Sequence, residues 1–127
     1  MDENLKNLIN KRKAKVGIIG MGYVGLPLAI RFAQKGFPIF CFDIDKKKVE
    51  FLNKGKSYIK HIKNLDIEKA KTKHFFATDD FKFVNDLNII IICVPTPLGV
   101  HNEPDLSYIY NTLKSARPYL KNNQLLI

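Results

Sequence analysis

Val16-Gly-Ile-Ile-Gly-Met-Gly-Tyr-Val-Gly-Leu-Pro-Leu-Ala29 is the stretch that decides the fold. It opens on Lys15 to Ile19, a short apolar run bounded by a glycine, which reads as a buried strand. Gly20, Gly22 and Gly25 then fall in a G-x-G-x-x-G pattern. Beyond them the apolar residues recur at helical spacing, with Leu26, Ala29, Ile30 and Ala33 on one face. The helix is expected over Tyr23 to Lys35, with Gly36 as its C-terminal stop. Strand, glycine turn and helix therefore follow one another without a gap.

Working outward, Asn4 to about Arg12 reads as a short helix with Leu5, Leu8 and Ile9 on one side. Pro38 to Phe42 reads as a second strand, closed by Asp43, and Asp45 is placed to cap a helix from Lys46 to about Lys54. The polar stretch His61 to Lys73 is in part helical from about Asp66. Phe75 to Ala77 makes a short third strand, and Asp79 or Asp80 starts a short helix to about Asn85. Leu87 to Val94 carries Ile-Ile-Ile-Ile-Cys-Val, apolar on both faces as in the middle of a parallel sheet. Pro104-Asp105 opens a helix from about Leu106 to Leu120, and Gln124 to Ile127 begins a fifth strand. Strands alternating with helices give an α/β fold, a Rossmann-type doubly wound parallel sheet of about five strands with right-handed crossovers. The expected organisation is a helical leader over residues 1–13 and a nucleotide-binding domain over 14–127. An end at Leu-Leu-Ile with no closing helix reads as a piece of a longer protein.

The glycine pattern is weak by itself, but here it follows a strand, opens a helix and is answered by an acid at the end of the next strand. Gly20 permits the tight turn, Gly22 lets backbone approach a pyrophosphate, and Gly25 lets the helix pack closely. The free N–H groups at the helix start favour phosphate. Asp43 stands 23 positions after Gly20, near the interval of about 20 at which a carboxylate takes the adenosine ribose hydroxyls. Such a carboxylate repels a 2′-phosphate and favours NAD over NADP, while Lys46, Lys47 and Lys48 offer a site that could receive that phosphate. Val94-Pro95-Thr96-Pro97 forms a stiff loop at the carboxyl edge of the sheet, where ligands of open α/β folds bind.

The 127 residues, 46% hydrophobic, suit one core. No run approaches the ~18 apolar residues of a membrane span, and the first thirteen residues lack the apolar centre of a signal peptide. A cytoplasmic protein is expected. Cys41 and Cys93 sit in apolar runs without partners at metal-ligand spacing, so both are read as buried reduced thiols, neither catalytic nor metal-binding. The net charge is +9, and Lys46 to Lys73 holds ten lysines against Glu50, Asp66 and Glu68. This reads as a solvated face that attracts anionic cofactors and substrates; nucleic-acid binding is the lesser alternative, since no recognised module accompanies it.

Three blocks resemble the UDP-glucose/GDP-mannose dehydrogenase family: Val16 to Ala29, Phe42-Asp-Ile-Asp-Lys-Lys-Lys-Val49, and Cys93-Val-Pro-Thr-Pro-Leu98 followed by Pro104-Asp-Leu-Ser107. The resemblance covers nearly all of the chain after Lys13. Gly55-Lys-Ser-Tyr-Ile-Lys-His-Ile62 and the segment Thr96 to Asp105 look most like the branch acting on UDP-N-acetylhexosamines. Lys60 and His61 stand where many UDP-glucose enzymes carry an acid.

The resemblance implies a full-length, NAD-dependent enzyme of surface polysaccharide biosynthesis. It would oxidise the C6 alcohol of UDP-N-acetylglucosamine or UDP-N-acetylgalactosamine to the uronate with two NAD, through a cysteine thiohemiacetal and thioester. It also implies a homodimer or higher homo-oligomer, with no nucleic-acid or membrane partner. Matched position by position, Gly20, Gly22, Tyr23, Val24 and Gly25 correspond to the pyrophosphate turn and Asp43 to the ribose acid. Lys48 corresponds to a basic residue on the same ribose, and Val94, Pro95 and Thr96 to the loop beside the dinucleotide. No catalytic residue carries over, so the 127 residues by themselves are expected to be inactive; the central helix and UDP-binding domain of the family have no counterpart in them. The alternatives are a dinucleotide-binding module without chemistry, or the cofactor domain of another NAD-dependent dehydrogenase, UDP-glucose or GDP-mannose 6-dehydrogenase included.

Overall fold

The structure, a computed structural model, describes residues 2–127. Five strands, β1 (Val16–Ile19), β2 (Ile39–Phe42), β3 (Phe75–Thr78), β4 (Ile89–Ile92) and β5 (Leu125–Leu126), form one sheet in the order β3-β2-β1-β4-β5. Every pairing is parallel, with Val16 beside Ile39 and Ile89. The chain winds from β1 outward to β3, then crosses back to β4 on the other side of β1. The strand order reverses between β1 and β4, and a crevice opens at such a point.

Among the described residues there are five α-helices: α1 (Glu3–Asn10) precedes β1, and α2 (Gly25–Gln34), α3 (Lys46–Asn53), α4 (Asn64–Lys71) and α5 (Ser107–Ala116) lie between the strands. Alternation along the strands splits the core in two. Val16, Ile18, Ile39, Cys41, Phe75 and Ala77 face α2 and α4 through Leu26, Ala29, Ala33 and Ile67. On the other face Ile19, Phe42 and Ile90 meet Val84, Leu87 and Ala116. Leu5 of α1 is buried in the first of these cores, so α1 packs onto the same body.

Several elements differ from the expectation for local reasons. The α4 helix begins at Asn64, because Asp66 acts from its third position, taking the Lys63 N–H at 3.0 Å instead of standing at the cap. The segment after Asp79 is a 3₁₀ helix, Phe81–Asp86, capped by Asp80 on the Lys82 N–H at 2.9 Å. The last long helix ends at Ala116 rather than Leu120. Pro118 has no N–H for the helical ladder and would clash one turn back, so Arg117–Tyr119 tightens to 3₁₀. Residues of β4 are buried at Ile89 and Ile90 but only half-buried at Ile91 and Ile92, where the strand runs toward the crevice.

The α3 helix starts as expected, with the Asp45 side chain accepting from the Lys47 N–H at 2.9 Å. Asp45→Ala removes that acceptor and is expected to cost about 1 kcal/mol, seen as a lower urea midpoint at unchanged slope. An unchanged midpoint would show that solvent satisfies this helix end equally well. Across the edge of the sheet, α3 contributes Asn53, whose Nδ2 donates to the Ala77 carbonyl and whose Oδ1 accepts from the Ala77 N–H, both at 2.9 Å.

Candidate functional site

A cavity of about 770 Å³ opens at the carboxyl ends of β1, β2 and β4. Its floor is the turn after β1: Gly20, Met21, Gly22, Tyr23 and Val24. One wall is Asp43, Ile44, Asp45 and Lys48, from the end of β2 and the first turn of α3. The loop after β4 supplies Cys93, Val94, Pro95 and Thr96, and α5 closes the far side with Tyr108, Asn111, Thr112 and Ser115.

The three glycines of the turn do different things. Gly20 has φ +104°, and a Cβ there would come within 2.6 Å of the Cys93 carbonyl oxygen. A Cβ on Gly25 would overlap the Gly20 carbonyl oxygen. Both glycines are thus required by the turn itself. Gly25 lies buried behind the turn, sealing it against α2, and does not line the cavity. Gly22 is different: nothing in the protein comes within 4 Å of where its Cβ would be. Its missing side chain leaves space on the cavity side.

Asp43 is half-buried and fixed by backbone. Its Oδ2 accepts from the Met21 N–H at 2.8 Å and its Oδ1 from the Asp45 N–H at 2.9 Å. The carboxylate thereby ties the end of β2 to the glycine turn and keeps unused lone pairs for a further donor. At the start of α2, Val24 gives no side-chain cap and the first turn carries no acid. The Leu26 N–H is already taken by the Gly22 carbonyl at 3.2 Å and Pro27 has none, so it is the positive end of the helix dipole that is left to whatever anion enters. Lys48 lines the same wall, its ammonium 5.6 Å from the Tyr58 ring centre.

These features form a cradle suited to a dinucleotide: open space over Gly22, an uncapped helix start, a carboxylate on the neighbouring strand end, and a crevice long enough to run from Asp43 to Thr96. The structure brings Gly20, Gly22, Tyr23, Val24, Asp43, Lys48, Val94, Pro95 and Thr96 together on one cavity.

The structure also adds residues that the sequence reading passed over. Tyr108, Asn111, Thr112 and Ser115 recur at i, i+3, i+4, i+7, a polar stripe that helical periodicity could have exposed. Ile44 and Phe81 add apolar surface beside Asp43. Cys41 is buried as expected, and burial pushes its thiol far up. Cys93 departs from expectation: it is half-buried and lines the cavity, because β4 ends there and the chain turns out into the loop. Burial raises its thiol too, which leaves it a poor nucleophile. Among the described residues no group of three or more His, Cys, Asp or Glu side chains could hold a metal ion, and no helix is long and apolar enough to cross a membrane.

Residues 14–127 match the NAD binding domain of the UDP-glucose/GDP-mannose dehydrogenase family. The chain is 36% identical to UDP-N-acetyl-D-mannosamine dehydrogenase of Campylobacter jejuni over 118 residues, which is 89% of this chain and 28% of that protein. It is 29% identical to UDP-N-acetyl-D-glucosamine 6-dehydrogenase of Salmonella typhi over 115 residues, 91% of this chain and 26% of that one. Among solved structures, NDP-N-acetyl-D-galactosaminuronic acid dehydrogenase from Methanosarcina mazei Go1 superposes with a TM-score of 0.80 at 29% identity, over 99% of this chain and 30% of that one. The chain spans about a quarter of the length of the curated relatives it matches. A Rossmann sheet with this turn, this strand-end acid and this match over all but its first thirteen residues belongs to the UDP-glucose/GDP-mannose dehydrogenase family, as its NAD binding domain.

Proposed function

We propose that the cavity at the carboxyl edge holds NAD as the cofactor site of a cytoplasmic UDP-sugar 6-dehydrogenase. In this reading Gly20, Gly22, Tyr23, Val24 and Gly25 build the turn that receives the pyrophosphate. Asp43 takes the adenosine ribose hydroxyls with Lys48 beside it, and Val94, Pro95 and Thr96 border the nicotinamide half. Residues 14–127 form the cofactor unit, preceded by a leader whose helix α1 packs on it through Leu5. The substrate of the whole protein is a UDP-N-acetylhexosamine, whose C6 alcohol is oxidised to the uronate with two NAD, and the enzyme works as a homo-oligomer. The relatives' names support this choice over UDP-glucose. The bound cofactor supplies hydride acceptance; the residues here bind it, orient it and supply no nucleophile.

The observation that carries this reading is Asp43, pinned by the Met21 and Asp45 amides beside the open face of Gly22. Calorimetric titration of the chain is expected to show NAD binding, with NADP at least about ten-fold weaker, because a 2′-phosphate would meet the Asp43 carboxylate. A folded chain that binds neither dinucleotide, or prefers NADP, contradicts the assignment. For the whole protein, NADH formation across a panel of UDP-hexoses tests the substrate: turnover of UDP-glucose ahead of the N-acetylated sugars would overturn it.

A further inference from the structure

Both polar atoms of Met21, the second residue of the glycine turn, are taken by side chains from elsewhere in the fold. Its N–H donates to Asp43 Oδ2, and its carbonyl accepts from the Tyr58 hydroxyl at 2.5 Å. The Met21 side chain is fully buried, so the residue is held on three sides. Tyr58 comes from the connection between α3 and α4 and reaches the turn across 37 positions of sequence. That connection is itself braced. The Ser57 N–H donates to Asn64 Oδ1 at 2.8 Å, the Ser57 hydroxyl accepts from the Ile59 N–H at 3.0 Å, and the Tyr58 ring packs 6.3 Å from Phe51. Burial, with Asp43 nearby, raises the Tyr58 phenol far above its ordinary range, so it remains a donor at every physiological pH.

The Met21 carbonyl and the Gly22 N–H belong to one planar trans peptide and point in opposite directions. A carbonyl held toward Tyr58 therefore turns the Gly22 N–H away from Tyr58, at a residue that lines the cavity. We propose that Tyr58 is a positioning residue for the cofactor's diphosphate: by fixing the Met21–Gly22 peptide it aims the Gly22 N–H into the cavity as a preset donor. The proposal rests on the NAD reading above. It also gives the stretch between α3 and α4 a part in cofactor binding, although that stretch contributes no residue to the cavity wall.

Tyr58→Phe deletes the hydroxyl and keeps the ring. With the full chain, the dissociation constants for NAD and for ADP-ribose are expected to rise together, roughly three- to ten-fold, the net worth of one hydrogen bond. Phe51→Leu is the control, since it loosens the packing around Tyr58 and leaves its hydroxyl in place. If Tyr58 only packs, both variants weaken NAD in proportion to their loss of urea stability, and the proposal falls. If it positions the peptide, Tyr58→Phe weakens NAD by more than its stability loss accounts for. A second readout needs no variant: in wild-type chain the Gly22 amide proton is expected to shift downfield on adding ADP-ribose and to stay put with adenosine. A Gly22 amide unmoved by ADP-ribose overturns the proposal even where the Phe variant does not fold. Equal NAD affinity in wild type and Tyr58→Phe sinks this inference alone, whereas a wild-type chain that binds no NAD sinks the cofactor reading and this one with it.

Discussion

Gly25→Ala is expected to destabilise the chain by about 3 kcal/mol, while Gly22→Ala, three residues away, leaves stability within about 0.5 kcal/mol and cuts NAD affinity instead. The first effect is steric. A Cβ at Gly25 overlaps the Gly20 carbonyl oxygen and lies 3.4 Å from Cys93 Cβ, and the oxygen belongs to backbone that cannot swing aside. Gly20 itself is held at φ +104° against Cys93, so relief must come by moving α2 off the sheet. A loss of this size lowers the melting temperature by roughly 10 °C in a domain of this length. At Gly22 no protein atom resists the new methyl group. The methyl occupies the space through which a diphosphate would approach, and NAD affinity should fall at least about ten-fold. Thermal melts and calorimetry on the two variants separate the effects. Equal destabilisation at both sites, or full NAD affinity in Gly22→Ala, would mean that the open face of the turn is not reserved for a ligand.

Asp43→Ala is the second large effect, an expected weakening of NAD of roughly 100-fold. The carboxylate accepts two backbone N–H groups, from Met21 and Asp45, and in the proposed site takes ribose hydroxyls as well. Hydrogen bonds to a charged group contribute about 1.5–3 kcal/mol, and each amide left without its acceptor adds a desolvation cost where it is buried. The ligand thus loses a direct partner and a correctly placed turn together. Asp43→Asn separates the two: it keeps an acceptor for one amide and loses the charge. It should bind NAD more tightly than the alanine variant does, while narrowing the preference for NAD over NADP. Asp43→Ala chain that binds NAD within about three-fold of wild type would remove Asp43 from the site.

Much of this was readable from residue order alone, because local chemistry and global fold agree. The glycine turn announces itself where the short apolar strand Val16–Ile19 meets an amphipathic helix, and Asp43 and Asp45 close the next strand and open the next helix. Interactions that join distant segments leave no such trace. Nothing in the spacing of Tyr58 ties it to Met21, and nothing in that of Gln124 says that its Nε2 donates to the Val84 and Leu87 carbonyls. Cys93 looked like a core residue because its neighbours are apolar. Its place at the cavity follows from where β4 stops, and the sequence run of Leu87 to Val94 does not mark that point.

Asn53 carries a consequence for how copies of the chain meet in solution. Since β3 is an outermost strand, its outward amides would be a template on which a second copy could add a strand. Asn53 imitates that absent neighbour with one primary amide, offering the Ala77 N–H and carbonyl the donor and acceptor that a partner's backbone would offer. It thereby works as a molecular bumper at Ala77, occupying the outward backbone pair on which an added strand would register, while the side chain, unlike a real strand, exposes no further hydrogen-bonding row of its own.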